Sequence, residues 1–181
     1  MGLPKPTNRD GGRDPRPARA KGKGAGANGA AGSGSPITAQ VNGSLRFEFP
    51  SNFDTGCDVQ RQILAEVERH GFNPNSLFAT RLALEEALVN AIKHGNAADP
   101  DKKIHVESRV TAKRAEITIE DEGPGFDRAA IPDPTLEENL HKCSGRGILL
   151  IEAYMNSVEW SRGGRRVRMV RYNEPSELPE R

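Results

Sequence analysis

The chain has 181 residues, and although 28% of them are charged, the formal net charge is only +1. This balance argues against a general nucleic-acid binder, which is usually strongly basic. The two cysteines lack metal-type spacing, no apolar run approaches the roughly 20 residues of a membrane helix, and no signal segment opens the chain. We therefore expect a cytoplasmic protein without membrane contacts.

The first 43 residues are rich in Gly, Pro, Ala, Arg and Lys and have almost no large apolar side chain. Such a segment cannot bury enough surface to offset the entropy lost on ordering. We expect residues 1–43 to be a disordered basic tail. Residues 44–173 carry the periodic apolar patterns of one domain, and residues 174–181 form a short polar tail.

The first half of the domain predicts one strand and two helices. Apolar and polar residues alternate over 44–50, which indicates a half-buried strand. A helical pattern follows over 54–70 and ends at a glycine. The Asn-Pro-Asn-Ser turn at 73–76 caps a second predicted helix over about 77–95.

The second half predicts four strands and one helix. Residues 102–110 and 115–122 alternate in polarity and should pair as an antiparallel hairpin. Residues 127–144 read as a long polar loop, of a length that is usually functional. A helix over 145–155 precedes two further strands within 157–172, around a Gly-Gly turn.

The order strand, helix, helix, strand, strand, loop, helix, strand, strand predicts an α+β two-layer sandwich. Its sheet should be mainly antiparallel, with the helices on one face. The order is not a repeated βαβ unit, and the pattern GxxxxGK[ST] is absent from the sequence. Neither a Rossmann nor a P-loop nucleotide domain is therefore predicted.

Three motifs lie on a helix face, at the end of a strand and at the start of a helix. The run EEALVNAIKHGN puts Glu86, Asn90 and His94 on one helix face, each four residues after the last. DEGPGFD begins at Asp121, where a strand should end, and SGRG begins at Ser144 and opens an apolar helical run. In this order the motifs indicate one nucleotide site.

These residue types suit the binding of ATP. Asn90 offers a carbonyl oxygen to Mg²⁺, and Glu86 can reach a metal-bound water or accept the proton of a hydroxyl group. Asp121 can accept a hydrogen bond from the exocyclic amine of adenine, a contact that guanine would not offer. Glycines let the backbone approach a ring closely, and the free N–H groups that open a helix favour phosphate.

Each motif also has a simpler structural interpretation. Glu86 and Asn90 could form an exposed polar helix face, and Asp121 could be a turn residue. The glycine motifs that follow favour the site over this interpretation. For His94 a cap or surface role and a contact with nucleotide remain equally open. The remaining conspicuous side chains are assigned to solvent (Lys93) or to packing (Tyr154 and Trp160).

The combination E-x-x-x-N, A-I-x-H-G, D-E-G-x-G and S-G-x-G resembles the histidine-kinase-like ATPase superfamily (GHKL). DNA gyrase B subunits and histidine kinases share its ATP-binding fold. The short chain and the FP strand are most similar to the bacterial anti-sigma-factor serine/threonine kinases. The resemblance covers about residues 44–173.

The resemblance implies a role for each matching residue. Glu86 corresponds to the general base, Asn90 to the Mg²⁺ ligand and Asp121 to the adenine-binding aspartate, while the loop 127–144 corresponds to an ATP lid. Cys143 departs from the family, because close relatives often have a basic residue there. The other residues implied to line the nucleotide are His94, Gly95, Gly123, Gly125, Lys142, Ser144, Gly145, Arg146, Gly147 and Ile148.

The resemblance also implies a function and its partners. The expected protein is an ATP- and Mg²⁺-dependent serine kinase that acts as an anti-sigma factor and phosphorylates an antagonist protein of the STAS type. A sigma factor is the second expected partner, and a homodimer is left open. No direct contact with nucleic acid is expected. Two alternatives remain: a non-catalytic ATP switch that sequesters a partner, and an ATPase module of a larger histidine-kinase-like assembly.

Overall fold

The computed structural model describes residues 36–41, 43–128 and 146–174. No helix within these ranges is long and apolar enough to cross a lipid bilayer. The elements of the described chain are β1 (Ile37–Val41), β2 (Ser44–Pro50), α1 (Phe53–Arg69), α2 (Pro74–Val89), a π-helix (Asn90–Gly95), β3 (Lys103–Val110), β4 (Arg114–Asp121), α3 (Arg146–Tyr154), β5 (Ser157–Ser161) and β6 (Arg166–Tyr172).

The six strands form one sheet in the order β1-β2-β3-β4-β6-β5. Every neighbouring pair is antiparallel, including the predicted hairpin of β3 and β4, in which Ile104 lies opposite Asp121. The predicted α+β fold is thus confirmed. β4 lies between β3 and β6, so the end of β4 at Asp121 is flanked by a strand on each side.

The core lies between the helices and one face of the sheet. Alternate residues of β3 and β4 are buried, as the two-residue period of a strand requires. The opposite face carries cross-strand ion pairs such as Arg168 with Glu116, whose atoms lie 2.8 Å apart. The core residues that are 1% exposed or less are Val59, Ile63, Val67, Ala83, Leu84, Ile92, Ile104, Ala115, Ile117, Ile119, Ile151 and Met169.

Side-chain caps begin the first two helices. Asn52 accepts a hydrogen bond from the Thr55 amide at 3.1 Å, and Asn73 accepts one from the Ser76 amide at 2.8 Å. Each bond satisfies one of the amides that a helix leaves free at its start. The predicted cap at 73–76 is therefore confirmed, although α2 begins at Pro74, slightly earlier than the sequence pattern indicates.

The predicted start of the domain at residue 44 is wrong for one segment. Residues 37–41, which the sequence assigns to the tail, form β1 and pair with β2 from Ile37 opposite Glu48 to Val41 opposite Ser44. The segment reads ITAQV, whose β-branched residues favour a strand, and pairing satisfies its backbone groups. Residues 1–35 and 175–181 lie outside the described residues, so both tails remain predictions.

The predicted α-helix over 77–95 changes its winding partway. The α-helix ends at Val89, and Asn90–Gly95 is a π-helix. The amide of Asn96 accordingly donates to the carbonyl of Ala91, five residues earlier, at 2.9 Å. Such segments are rare and occur frequently at functional sites.

Leu84 tests how much the core stabilises this helix. The side chain is fully buried, so Leu84→Ala should lower the free energy of unfolding by about 2–5 kcal/mol through lost burial and a residual cavity. Urea denaturation measures the change. Arg81→Ala, on the exposed face of the same helix, is the matched control and should stay within about 0.5 kcal/mol of wild type. Equal effects of the two variants would contradict the assigned core.

Candidate functional site

Two groups of motif residues come together along one helix. Glu86 and Asn90 are both half-buried, and the Asn90 amide donates to the Glu86 carbonyl, so the two side chains are one α-helical turn apart. Gly95 ends the π-helix about one wider turn later. The first group therefore forms around Glu86 and Asn90, and the second group forms around Gly95.

The glycine motif on α3 contacts the first group. A methyl group on Gly147 would overlap Oε2 of Glu86 and would lie 3.6 Å from Nδ2 of Asn90. The missing side chain at residue 147 therefore leaves room for the Glu86 carboxylate. Arg146 beside it is exposed, whereas Ile148 is buried and belongs to the core of the domain. The remaining predicted residues of this motif, Lys142, Ser144 and Gly145, lie outside the described residues.

Asn90 has an unused hydrogen-bonding atom. Its Nδ2 atom is buried and has no hydrogen-bond partner among the described residues. Because the oxygen and nitrogen of a carboxamide are assigned from their hydrogen bonds, the carbonyl oxygen can equally occupy this position. A free amide oxygen beside a carboxylate fits Mg²⁺, which takes few protein ligands and completes its octahedron with water and phosphate oxygens.

A purely protein-built metal site is not found in the described ranges. No group of three or more His, Cys, Asp or Glu side chains there is arranged to hold a metal ion. Asn90, together with a water held by Glu86, would instead form one side of a site. The oxygen atoms of a bound phosphate chain would then complete it.

The second group surrounds the carboxylate of Asp121 at the end of β4. This residue is only 9% exposed, and its Oδ1 accepts a hydrogen bond from the Gly123 amide at 2.8 Å. A methyl group on Gly95 would lie 2.6 Å from each carboxylate oxygen, and one on Gly123 would overlap the carbonyl oxygen of Gly95. Gly123 is therefore required by the close approach of backbone to backbone, and Gly95 by the close approach of the buried Asp121 carboxylate.

The environment of Asp121 alters its acidity. Burial raises the pKa of the Asp121 carboxyl above its ordinary value, because desolvation disfavours the charged form. The Gly123 amide and the nearby Arg165 guanidinium act in the opposite direction and only partly offset the increase. A buried carboxylate with one backbone donor keeps further lone pairs for a hydrogen-bond donor on a ligand.

Gly125 lies on the other side of this turn, against the β5–β6 connection. It has a φ of +78°, and a methyl group there would overlap the carbonyl oxygen of Gly163. Phe126 then donates its amide to that same carbonyl at 2.9 Å and packs edge-on against Trp160, with ring centroids 5.1 Å apart. Trp160 thus packs against the turn, consistent with the packing role that the sequence suggests.

An open cavity of about 540 Å³ adjoins this contact. Arg128 borders it and donates to both carboxylate oxygens of Glu152, at 2.8 and 2.7 Å, which holds the pKa of Glu152 below its usual range. The ion pair ties the end of the turn to α3. The residues lining the cavity are Pro124, Gly125, Phe126, Asp127, Arg128, Trp160, Ser161, Gly163 and Gly164.

One predicted site residue is not assigned to either group, and two residues outside the predicted set contact the second group. His94 is exposed, which leaves its contact with a nucleotide a prediction. The sequence motifs do not include Arg165, whose carbonyl accepts a hydrogen bond from the Asp121 amide at 3.1 Å, and no pattern in the sequence links the two residues. They also do not assign a role to Asn96, which is fully buried. A polar residue directly after the His-Gly pair was the available signal.

The raised pKa of Asp121 predicts a pH-dependent stability. The folded state binds the proton more readily than the unfolded state, so stability should fall as pH rises from the ordinary pKa of 3.8 through the higher folded value. Asp121→Asn keeps an acceptor for the Gly123 amide but removes the buried charge. We expect it to increase the free energy of unfolding at neutral pH and to flatten this slope.

Urea denaturation from acidic to neutral pH measures both effects. Asp101→Asn, at an exposed loop position, is the matched control and should leave the slope as in wild type. If Asp121→Asn is no more stable than wild type at neutral pH, the carboxylate is not desolvated as described.

Comparisons with known proteins identify the family of the domain. The profile of the histidine kinase-like ATPase domain family matches residues 55–171. An anti-sigma F factor from Oceanobacillus iheyensis is 36% identical over 88 residues, which are 47% of this chain and 60% of that protein. An anti-sigma F factor from Clostridium perfringens is 27% identical over 122 residues, which are 66% of this chain and 86% of that protein.

A third relative carries the name of an enzyme. The serine-protein kinase RsbW of Listeria monocytogenes is 27% identical over 97 residues, which are 50% of this chain and 62% of that protein. The chain thus spans about three fifths of the length of the Oceanobacillus and Listeria relatives. Because the family profile covers more than half of the chain and includes both groups of site residues, the chain belongs to the histidine kinase-like ATPase family.

Proposed function

We propose that this domain binds Mg·ATP and transfers the γ-phosphate to a serine of an antagonist protein of the STAS type, as an anti-sigma regulatory factor. The observation that carries the proposal is the contact of Gly147 with Glu86 and Asn90, which lie on the same helix as Gly95. Gly95, about one π-helical turn after Asn90, contacts Asp121 and Gly123. The names of the relatives, anti-sigma F factor and serine-protein kinase, support the same function.

Each group of residues has a separate part in the proposed reaction. Asp121 accepts a hydrogen bond from the exocyclic amine of adenine and so selects the base, while Gly95 and Gly123 let the helix end and the turn approach closely enough to hold its carboxylate. Asn90 holds Mg²⁺, and the ion when bound neutralises charge on the phosphate chain. Glu86 accepts the proton of the attacking serine hydroxyl. Gly147, at the start of α3, lets the backbone approach the phosphates beside Glu86.

Substitutions in the first group separate binding from chemistry. Glu86→Gln keeps the shape of the side chain and should retain ATP affinity, but it should slow phosphate transfer by on the order of 10²–10⁴-fold. Asn90→Ala should weaken Mg·ATP binding itself. The assay is single-turnover phosphorylation of a partner captured from the native cell, with calorimetry for affinity and mapping of the phosphorylated residue.

Glu85→Gln is the matched control, because Glu85 is adjacent in sequence but exposed, and it should behave as wild type. If wild type and Glu86→Gln transfer phosphate at equal rates, Glu86 is not the general base. If wild type transfers no phosphate to any captured partner while ATP still tightens partner binding, the non-catalytic switch is correct instead.

Gly147→Ala tests the contact between α3 and Glu86. The added methyl group overlaps the end of a flexible side chain, so Glu86 must move while the fold can remain intact. We expect slower phosphate transfer with a free energy of unfolding close to that of wild type. Ala153, an exposed position on the same helix, gives the control Ala153→Ser. Unchanged transfer by Gly147→Ala would remove this contact from the proposed mechanism.

A further inference from the structure

Asn96 is a fully buried polar residue that directly follows the π-helix. Its Nδ2 donates to Oγ of Ser51 at 2.7 Å and to the carbonyl of Lys103 at 2.9 Å, and its Oδ1 accepts the amide of Glu122 at 2.8 Å. Both donors and one acceptor position of the carboxamide are therefore used. One side chain connects the ends of the π-helix and β2, the start of β3 and the turn after β4.

The contacts of Asn96 close into a ring with two other residues. The Glu122 amide donates to Asn96, the Glu122 carboxylate accepts the Lys103 amide at 2.8 Å, and the Lys103 carbonyl accepts from Asn96. Glu122 is thereby held both by its backbone and by its side chain. Because the other two members belong to the end of the helix and to β3, the turn cannot shift relative to either without breaking a hydrogen bond.

The ring fixes the two residues on either side of Glu122. These are Asp121 and Gly123, and each lies against Gly95, the residue before Asn96. A methyl group would not fit at Gly95 or Gly123, so the separation between helix and turn has little tolerance. The position of the Asp121 carboxylate relative to the helix is consequently set by the Asn96 contacts.

The backbone after Asn96 departs from ordinary geometry. Ala97 and Ala98 have φ values of 56° and 55°, in the left-handed region that residues with a Cβ seldom occupy. The Ala98 amide donates to the Ile92 carbonyl at 2.7 Å, and the Asp99 amide donates to the Asn96 carbonyl at 3.1 Å. Strained backbone of this kind persists where the surroundings enforce it, and it clusters at functional sites.

We propose that Asn96 is a positioning residue for nucleobase recognition, which acts by holding the turn of Glu122 so that Asp121 faces the base. The inference rests on the proposed function, since it assigns Asn96 to the base-selecting half of the same site. Asn96 controls affinity for adenine and discrimination against guanine, and it leaves the transfer step at Glu86 unaffected. A residue that only stabilises the fold would change none of these selectively.

Two variants of Asn96 remove different parts of the ring. Asn96→Leu removes all side-chain hydrogen bonds at similar volume, and Asn96→Asp keeps the acceptor for the Glu122 amide but loses both donors. Each should weaken ATP binding by about tenfold and GTP binding much less, so that the ratio of the two affinities falls. The single-turnover rate at saturating ATP should stay within about twofold of wild type, because the phosphate end is untouched.

A second pair of variants, at Glu122, tests the proposal even if the Asn96 variants do not fold. Glu122 is exposed, so Glu122→Ala breaks only its side-chain bond to Lys103 at little cost to folding. Glu122→Ala should weaken ATP binding by about threefold. Glu122→Gln, which retains an acceptor oxygen, should bind ATP with wild-type affinity. Asn73→Ala, which removes the cap of α2 in a separate hydrogen-bond network, is the control for general destabilisation.

The measurements are calorimetry with ATP and GTP, single-turnover transfer, and hydrogen exchange of the Glu122 and Gly123 amides without nucleotide. Faster exchange at both amides in Asn96→Leu, together with a lower ATP-to-GTP ratio in both Asn96 variants, supports the proposal. An unchanged ratio in folded variants, or an equal loss in Asn73→Ala, overturns it. A wild type that binds neither nucleotide overturns the proposed function instead, while the exchange rates still decide whether Asn96 holds the turn.

Discussion

The close approach of the Gly95 backbone to the turn after β4 is the constraint on which the candidate site depends. No side chain fits at Gly95 or Gly123, because the carbonyl of Gly95 and the carboxylate of Asp121 already occupy that space. The helix reaches the turn through its π-helical end, Asn90–Gly95, whose last residue is Gly95, and such segments are frequent at functional sites. A larger residue at either glycine would separate helix from turn and displace the Asp121 carboxylate.

Several features of the site reduce the stability of the fold, and the core offsets them. A carboxylate is buried at Asp121 with partial compensation, an amide nitrogen of Asn90 is buried without a partner among the described residues, and Ala97 and Ala98 are held at positive φ. Each of these features costs free energy. They lie at the end of a sheet whose central strands, β3 and β4, bury every second side chain. The free energy gained by packing the core therefore offsets the cost of the buried polar groups and strained backbone at the site.

The division of the site into two groups fits the chemistry that we propose for it. Phosphoryl transfer depends mainly on positioning and on neutralising charge, with little covalent participation by the protein. The base-selecting group is then a rigid contact between helix end and turn, held by hydrogen bonds to buried backbone. The transfer group depends on a contact between side chains of one helix and the backbone of another, at Gly147. The two halves are built differently but share one continuous helix.

Sequence patterns alone predict the fold class, the antiparallel hairpin of β3 and β4, the cap before α2 and the polar face of Glu86 and Asn90. These features follow from periodicity and local hydrogen bonding, which act over a few residues and can be read from spacing. The resemblance to the histidine-kinase-like ATPases likewise needed only motif order.

The remaining features depend on contacts between elements that are far apart in the chain. Strand β1 forms because β2 offers a partner for its backbone groups, and the helix changes to π winding in the segment whose last residue contacts the turn after β4. The contacts of Asn96 and Arg165 join residues far apart in the chain, so local spacing does not predict them, although the polar residue after the His-Gly pair marks Asn96 as a candidate. Local patterns specify which face of an element is buried, but distances between elements arise only when the whole core packs.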